Sequence, residues 1–310
     1  MNKNTREQDY NFAAQMQYKP EVKAFFHAPT FTFSYVVADP KTKHCAVIDS
    51  VLDFDLPSGT LGYESAQEII EYITDHHYTV EWILETHMHA DHLSAAAYCK
   101  RELGGKVAIG NRISTVQGMY QDVFKVSQTE LDTAQSEFDV LWKDFDTFTI
   151  GELPVFTFAT PGHTPADIVY GIGDALFAGD TLFMPDFGSA RCDFPRGSAL
   201  DMFASAQKIF SLPEEMRMFM CHDYLPAGGR TEHQHETTIA QQKQHNIHLR
   251  VGATKEAFVE LREARDATLS LPKLMIPSLQ VNVQAGKIPE VGGVPMMLLP
   301  VNSVFSHYSK

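Results

Sequence analysis

Cysteine is scarce in this sequence, and the few cysteines present stand far apart. Cys45, Cys99, Cys192 and Cys221 include no CxxC pair. Widely spaced thiols are typical of a reducing compartment rather than of a disulfide-stabilised secreted protein. Residues 1–20 are polar and lack the apolar segment of a secretory signal. We therefore expect a cytoplasmic protein with free thiols.

Long apolar runs and positive charge are also lacking. No stretch approaches the roughly 18 consecutive apolar residues that a membrane helix requires. Lys and Arg number 25 against 39 Asp and Glu, so the formal net charge is −14. This acidity disfavours nucleic acid or a membrane as a partner, and with it a nuclease function. An anionic substrate would have to meet a local cluster of Arg or Lys.

The first half of the chain has the pattern of an α/β unit. Short runs rich in Val, Ile and Phe predict strands over 21–28, 30–39, 43–51, 80–86 and 106–110. A helix is predicted over 65–77, with Ser65 as its N-cap and Ile69, Ile70 and Ile73 on one face. A second helix is expected to begin near Leu93 and to end before Gly104.

The second half repeats this pattern and then changes. Strands are predicted over 156–160, 168–173, 175–180, 214–222 and 277–283, with helices over 198–212 and 231–267. We interpret residues 1–310 as a single domain, with a catalytic core over about 20–225 and a C-terminal extension over about 226–310. The apolar segment 292–305 is a candidate for a sheet edge or for the contact of a homodimer.

Potential metal ligands follow predicted apolar strands at four places. They are His87, His89, Asp91 and His92 after the first strand, then His163, Asp180 and His222. Rigid sheets commonly carry functional residues on the loops at their strand ends. Residues two apart in an extended turn project to the same side, so His87 and His89 could share an ion with His163. Asp91 and His92 would then join His222, with Asp180 between the two groups.

A purely structural role for these side chains is the alternative. A lone HxH motif in a loop is commonly a surface pair, but four such elements in order argue against that interpretation. The complete set of ligand-type residues also argues against a regulatory binding protein that has lost its metal.

Four motifs resemble, in order, the ligand motifs of the metallo-β-lactamase superfamily. They are THMHADH (86–92), TPGHTPAD (160–167), FAGDTLF (177–183) and CHDY (221–224). The resemblance implies an αββα sandwich with helices outside and metal at one edge between the sheets, here with a C-terminal helical extension.

Two groups within this superfamily are similar to the chain. Persulfide dioxygenases are mononuclear iron enzymes that oxidise glutathione persulfide, whereas glyoxalase II enzymes are dinuclear hydrolases of glutathione thioesters. The segment Arg191–Phe194 resembles the Arg-x-Asp-Phe signature of the dioxygenases. The implied function is oxidation of a glutathione-like persulfide with O₂ to sulfite and thiol. The alternative is a zinc hydrolase of glutathione thioesters.

The dioxygenase resemblance also implies a ligand set. One Fe(II) would be held by His87, His163 and Asp180, while His89, Asp91, His92 and His222 would form hydrogen bonds around this centre. In the hydrolase alternative, with Zn(II) as one or two ions, those four residues would hold a second metal. Fe(II) suits the dioxygenase interpretation because zinc cannot exchange electrons with O₂.

Further residues are candidates for catalysis or binding. Asp91 could orient a water, Tyr224 could donate its hydroxyl into the pocket, and Arg191 could pair with Asp193 or contact substrate. Arg230 could reach the mouth of the site and bind a substrate carboxylate, although for both Tyr224 and Arg230 a surface or packing role is the default interpretation. We interpret Cys192 as a packing residue rather than a persulfide acceptor. Histidines expected on the surface of the helix over 231–267 are His233, His235, His245 and His248.

Overall fold

Two six-stranded sheets lie face to face at the centre of the protein, which a computed structural model describes over residues 10–124 and 137–299. The strands of the first sheet, in spatial order, are β1 (Glu21–His27), β2 (Thr32–Ala38), β3 (His44–Ile48), β6 (Thr79–Leu84), β8 (Lys106–Gly110) and β9 (Val140–Trp142). Those of the second are β10 (Thr147–Ile150), β11 (Leu153–Ala159), β12 (Ile168–Ile172), β13 (Ala175–Phe177), β14 (Arg217–Phe219) and β15 (Glu236–Thr238).

Both sheets contain parallel as well as antiparallel strand pairs. β3, β6, β8 and β9 run parallel to one another, and β13 and β14 form the parallel pair of the second sheet. A smaller sheet contains β4 (Val51–Asp55), β5 (Thr60–Gly62) and β7 (Leu93–Ser94). A short exposed hairpin is formed by β16 (Glu290–Val291) and β17 (Val294–Pro295).

Helices cover the outer faces of both sheets. They are α1 (Phe12–Gln15), α2 (Glu64–Asp75), α3 (Ala96–Leu103), α4 (Ile113–Phe124), α5 (Ala199–Phe210), α6 (Ile239–His245), α7 (Lys255–Asp266) and α8 (Met275–Asn282). One apolar core joins the first sheet to α2, α3, α4 and α8, and another joins the second sheet to α5, α6 and α7. A third core, which contains Tyr35, Tyr170 and Phe219, lies between the sheets. These layers confirm the predicted αββα sandwich.

The starts of two helices differ from the sequence-based expectation. Ser65 is not an N-cap, because α2 begins at Glu64 and the Ser65 side chain donates instead to Asp53 at 2.7 Å. The next helix begins at Ala96 rather than near Leu93. Leu93 and Ser94 form a short strand that pairs with β4, so the helix begins only after this strand.

The C-terminal part differs more. The stretch 231–267 contains two helices preceded by β15, so His233, His235 and His248 lie outside any helix. The stretch 277–283 belongs mostly to a helix, α8, and not to a strand. Seven of the eight α8 residues are buried, and a segment that is buried all round shows neither period in its sequence.

Three further expectations concern membrane helices, the apolar segment near the C-terminus and the division of the chain into core and extension. Among the residues that the structure describes, no helix is long and apolar enough to cross a membrane. The apolar segment 292–305 lies partly outside the described residues, so a dimer contact there stays a prediction. The division into core and extension also stays a prediction.

Helix α8 is tied to the loop that carries the first ligand motif. The buried Asn282 side chain donates to the carbonyl oxygens of His89 and His92, both at 2.8 Å, and accepts from the Ser94 N–H at 2.7 Å. These three bonds satisfy backbone groups of the loop and of the short strand that follows it. A residue of the predicted extension therefore fixes the position of the ligand loop.

We expect Asn282→Ala to lower the free energy of unfolding of the metal-free protein by about 2–4 kcal/mol, because three buried backbone groups lose their partner. Urea unfolding measures this loss. Asn111→Ala, at an exposed position before α4, is the matched control. A loss no larger than that of the control would show that Asn282 does not hold the loop.

Candidate metal centre

The ligand-bearing loops follow strands of both sheets and meet at one edge of the sandwich. β6 ends three residues before His87, and β14 likewise ends three residues before His222. β11 ends four residues before His163, and β13 ends three residues before Asp180. Glycine is required directly before Asp180: Gly179 has a φ of +53°, and a Cβ there would lie 2.8 Å from the Thr86 hydroxyl. The loop can therefore approach the first motif closely.

Three side chains converge as a first set: His87, His163 and Asp180. The Asp180 Oδ2 atom lies 3.8 Å from His87 Nε2 and 3.5 Å from His163 Nε2. Ligand atoms that share one ion at about 2.0–2.2 Å lie roughly 3–3.5 Å apart. The separations of this set are close to that value, and all three side chains are buried.

Four further side chains form a second set: His89, Asp91, His92 and His222. His222 Nε2 lies 3.4 Å from Asp91 Oδ2 and 3.6 Å from Asp180 Oδ1. Asp180 thus directs one carboxylate oxygen toward each set. The structure groups His89 with this second set rather than with His87 and His163.

Most of these donor atoms are buried without a hydrogen-bond partner among the described residues. The unpaired atoms are the Nε2 atoms of His87, His92 and His222, His89 Nδ1, Asp91 Oδ2 and Asp180 Oδ1. Buried polar atoms in native proteins nearly always have a partner. Imidazole nitrogens and carboxylate oxygens are ligands of Fe(II) and Zn(II), so this donor set fits a metal ion.

Hydrogen bonds hold the imidazole rings in the tautomer that leaves Nε2 free. Each Nδ1–H group donates to a backbone carbonyl oxygen. His163 donates to Arg191 at 2.8 Å, His92 to Leu93 at 3.2 Å and His222 to Phe31 at 3.3 Å. With the proton on Nδ1, each Nε2 keeps a lone pair for metal. The carbonyl of the Arg-x-Asp-Phe segment therefore positions a ligand of the first set.

His87 and His89 differ in their environment although they are two residues apart. Burial and the neighbouring imidazoles lower the pKa of His87 well below its ordinary value, so its ring is neutral. Burial would also lower the pKa of His89, but the Asp49 carboxylate outweighs it and raises that pKa well above the usual range. His89 donates its Nε2–H to Asp49 at 3.1 Å, which leaves Nδ1 toward the second set.

Three residues that contact the first ligand motif were not predicted from the sequence. Asp49 accepts from His89 and from both the N–H and the hydroxyl of Thr86, each of the latter at 2.8 Å. Glu85 Oε2 lies 3.3 Å from His89 Nε2, and Asn282 holds the loop from α8. Asp49 follows an apolar strand, as Asp180 does, and that repeated pattern was its available signal.

A cavity of about 1050 Å³ opens beside the first set, and His163 and Asp180 form part of its wall. The three candidate catalytic residues, Asp91, Tyr224 and Arg191, also line it. Arg191 pairs with Asp193 through two bonds of 2.6 and 2.7 Å, as expected, and donates to the Ser270 carbonyl.

Two other expectations can be compared with the contacts. Arg230 is not among the residues that line the cavity, and its guanidinium is bound by Asp186 and Asp223, which agrees with the alternative of a packing role. Burial raises the pKa of the Cys192 thiol well above its usual range, which agrees with a packing role.

The αββα fold and its buried donor set define a metal-dependent enzyme. Residues 27–222 match the sequence model of the metallo-beta-lactamase superfamily, and the chain belongs to this family. The predicted resemblance is thereby confirmed at the level of the superfamily.

Known relatives carry the names of different activities. A beta-lactamase hydrolase-like protein of Agrobacterium fabrum is 48% identical over 87% of this chain, which spans 62% of that relative's length. Glyoxylase B2 of Dictyostelium discoideum is 42% identical over 93% of this chain and 99% of its own. The human mitochondrial persulfide dioxygenase ETHE1 is 25% identical over 81% of this chain and 82% of its own.

A solved structure of another ETHE1 protein is also similar to this chain. The crystal structure of ETHE1 from Myxococcus xanthus aligns with a TM-score of 0.68 and 26% identity. The alignment covers 86% of this chain and all of that one.

We expect His87→Ala to abolish iron binding, because it removes a ligand atom of the first set. His89→Ala should weaken iron affinity by about 10–100-fold, the usual effect of losing a supporting hydrogen bond. Ferrous-ion titration of the metal-free variants measures both effects, with the exposed His245→Ala as control. Complete and equal loss of binding in both variants would contradict a mononuclear centre.

Proposed function

We propose that the protein is a non-haem iron dioxygenase that oxidises a low-molecular-weight persulfide, such as glutathione persulfide, to sulfite and thiol. The observation that carries the proposal is the first set, in which two histidines and one carboxylate converge, and of which His163 and Asp180 line a large cavity. This donor set suits non-haem Fe(II) with open positions. The iron would supply the redox chemistry with O₂ that zinc lacks.

The reaction balances with water as the third reactant. Persulfide, O₂ and water, one of each, yield one thiol, one sulfite and two protons. The outer sulfur loses the electrons that O₂ gains, and the S–S bond is broken by hydrolysis. The site must therefore hold a sulfur compound, admit O₂ and accept protons.

Asp91 is the candidate to accept a proton during the hydrolysis. Burial would raise the pKa of Asp91, but the electrostatic interactions with the neighbouring His222 and His92 side chains outweigh burial and lower that pKa. The carboxylate is therefore ionised at neutral pH. Asp91 lines the large cavity, so a water molecule there can reach it.

The cavity wall carries cations that suit an anionic carrier thiol. Arg262 and Arg191 line the cavity but are paired with Asp266 and Asp193. Arg265 and Lys273 are exposed on the same wall, and neither has an ion-pair partner within residues 10–124 and 137–299. They provide the local positive charge that a carboxylate-bearing thiol needs in a protein of net charge −14.

A dinuclear zinc hydrolase of glutathione thioesters is the second candidate. Its support is the second set of buried donors, which Asp180 links to the first. In that reaction Asp91 would orient the attacking water. The hydrolase and glyoxylase names of two relatives agree with this candidate.

We expect the protein, purified without added metal, to contain one iron per chain and to consume O₂ when glutathione persulfide is added. One sulfite should form for each O₂ consumed. Metal analysis, an oxygen electrode and a sulfite assay measure these quantities, with the zinc-loaded protein as the inactive control. Two zinc ions per chain, hydrolysis of a glutathione thioester and no oxygen uptake would instead establish the hydrolase.

We expect the double variant Arg265→Gln/Lys273→Gln to raise KM for glutathione persulfide by about tenfold with little change in kcat, since it removes ground-state binding. Steady-state oxygen uptake measures both constants. Arg250→Gln/Lys255→Gln removes the same charge outside the cavity and serves as control. An equal KM in the two double variants would show that the cavity cations do not bind substrate.

A further inference from the structure

A second, smaller cavity lies behind the loops that carry His87 and His163. Its volume is about 40 Å³, and it is lined by side chains of α4, α8 and those loops, together with Phe194 and Pro195. Met88 and Ala90 come from the first ligand motif, and Thr164 directly follows His163. The cavity therefore borders the backbone that carries the proposed iron ligands.

The lining of this cavity is almost entirely apolar. α4 contributes Val116 and Met119, and α8 contributes Leu279. The hydroxyl of Thr164 is already engaged, because it donates to Asp167 and accepts from the Ala166 N–H. A water molecule needs two to four polar partners, so a cavity of this chemistry stays dry and favours an apolar occupant.

The size of the cavity limits the occupant further. A single water needs about 10–15 Å³ of such volume, so a cavity of 40 Å³ admits a molecule with few heavy atoms. A thiol carrier of tripeptide size requires the large cavity beside the metal centre instead.

Two residues form the partition between the small and the large cavity. Ala90 and Phe194 line both of them. The Phe194 ring stands edge-on to the His163 ring, with 5.0 Å between the centroids. An occupant of the small cavity is therefore one side chain away from a ligand of the first set.

We infer that the small apolar cavity between α4, α8 and the ligand loops binds O₂ and supplies it to the metal centre separately from the persulfide. The inference rests on the proposed dioxygenase function and adds a binding site to it. O₂ is small and apolar, as the lining requires. A route apart from the large cavity stays open when the carrier thiol fills that cavity.

Xenon, an apolar probe of similar size, tests the site without any turnover. We expect crystals of the iron-loaded protein under xenon pressure to show a xenon atom between Val116, Met119 and Leu279. Val116→Phe and the half-buried Met119→Phe should fill the cavity and exclude xenon. Ser114→Phe, on the exposed face of α4, should leave xenon binding unchanged.

Oxygen kinetics connects the site to the reaction. The two filled variants should raise KM for O₂ by about threefold or more, while KM for the persulfide and kcat at saturating O₂ stay near the wild-type values. An empty cavity in the wild type under xenon, or an unchanged KM for O₂ in variants that exclude xenon, would overturn the inference and leave the dioxygenase intact. Absence of oxygen uptake by the wild-type protein would overturn both.

Discussion

The whole arrangement depends on burying six imidazole and carboxylate atoms that have no hydrogen-bond partner among the residues that the structure describes. Each unpaired buried group costs about 1–3 kcal/mol, so the metal-free site is a local source of instability. An ion held by His87, His163 and Asp180 would take the lone pair of His87 Nε2. The other five atoms face the second set, where a water molecule or a second ion would have to satisfy them. The two sheets provide the rigid frame on which such a site can persist.

The frame reaches well beyond the ligand motifs. The carbonyl oxygen of Arg191 accepts a hydrogen bond from His163, and the Asp49 carboxylate accepts one from His89. The Asn282 side chain donates to the backbone of the loop that carries His89. These residues come from a segment after Asp180, from the end of β3 and from α8. The segment after Asp180 lines both cavities, and α8 lines the small one, so the site, the substrate wall and the small apolar cavity are adjacent parts of one structure.

The ligand motifs were predictable because each one follows an apolar strand, and strand ends of a sandwich meet at an edge. The contacts of Asp49 and Asn282 were not predictable, since they join residues far apart in sequence. α8 was misassigned because it is buried on nearly every side and shows no helical period. The contacts of Arg230 with the carboxylates of Asp186 and Asp223 were likewise not indicated by the sequence. The sequence therefore indicated which ligand-type side chains lie close together, but it did not indicate the residues that hold them in position.

The central claim is that one iron ion is held by His87, His163 and Asp180. Anomalous scattering at the iron edge, from crystals of protein purified without added metal, tests this claim most directly. The account predicts a single iron peak between His87 Nε2, His163 Nε2 and Asp180 Oδ2, with no ion among His89, Asp91, His92 and His222. Two peaks at the zinc edge, one in each set of donors, would contradict it.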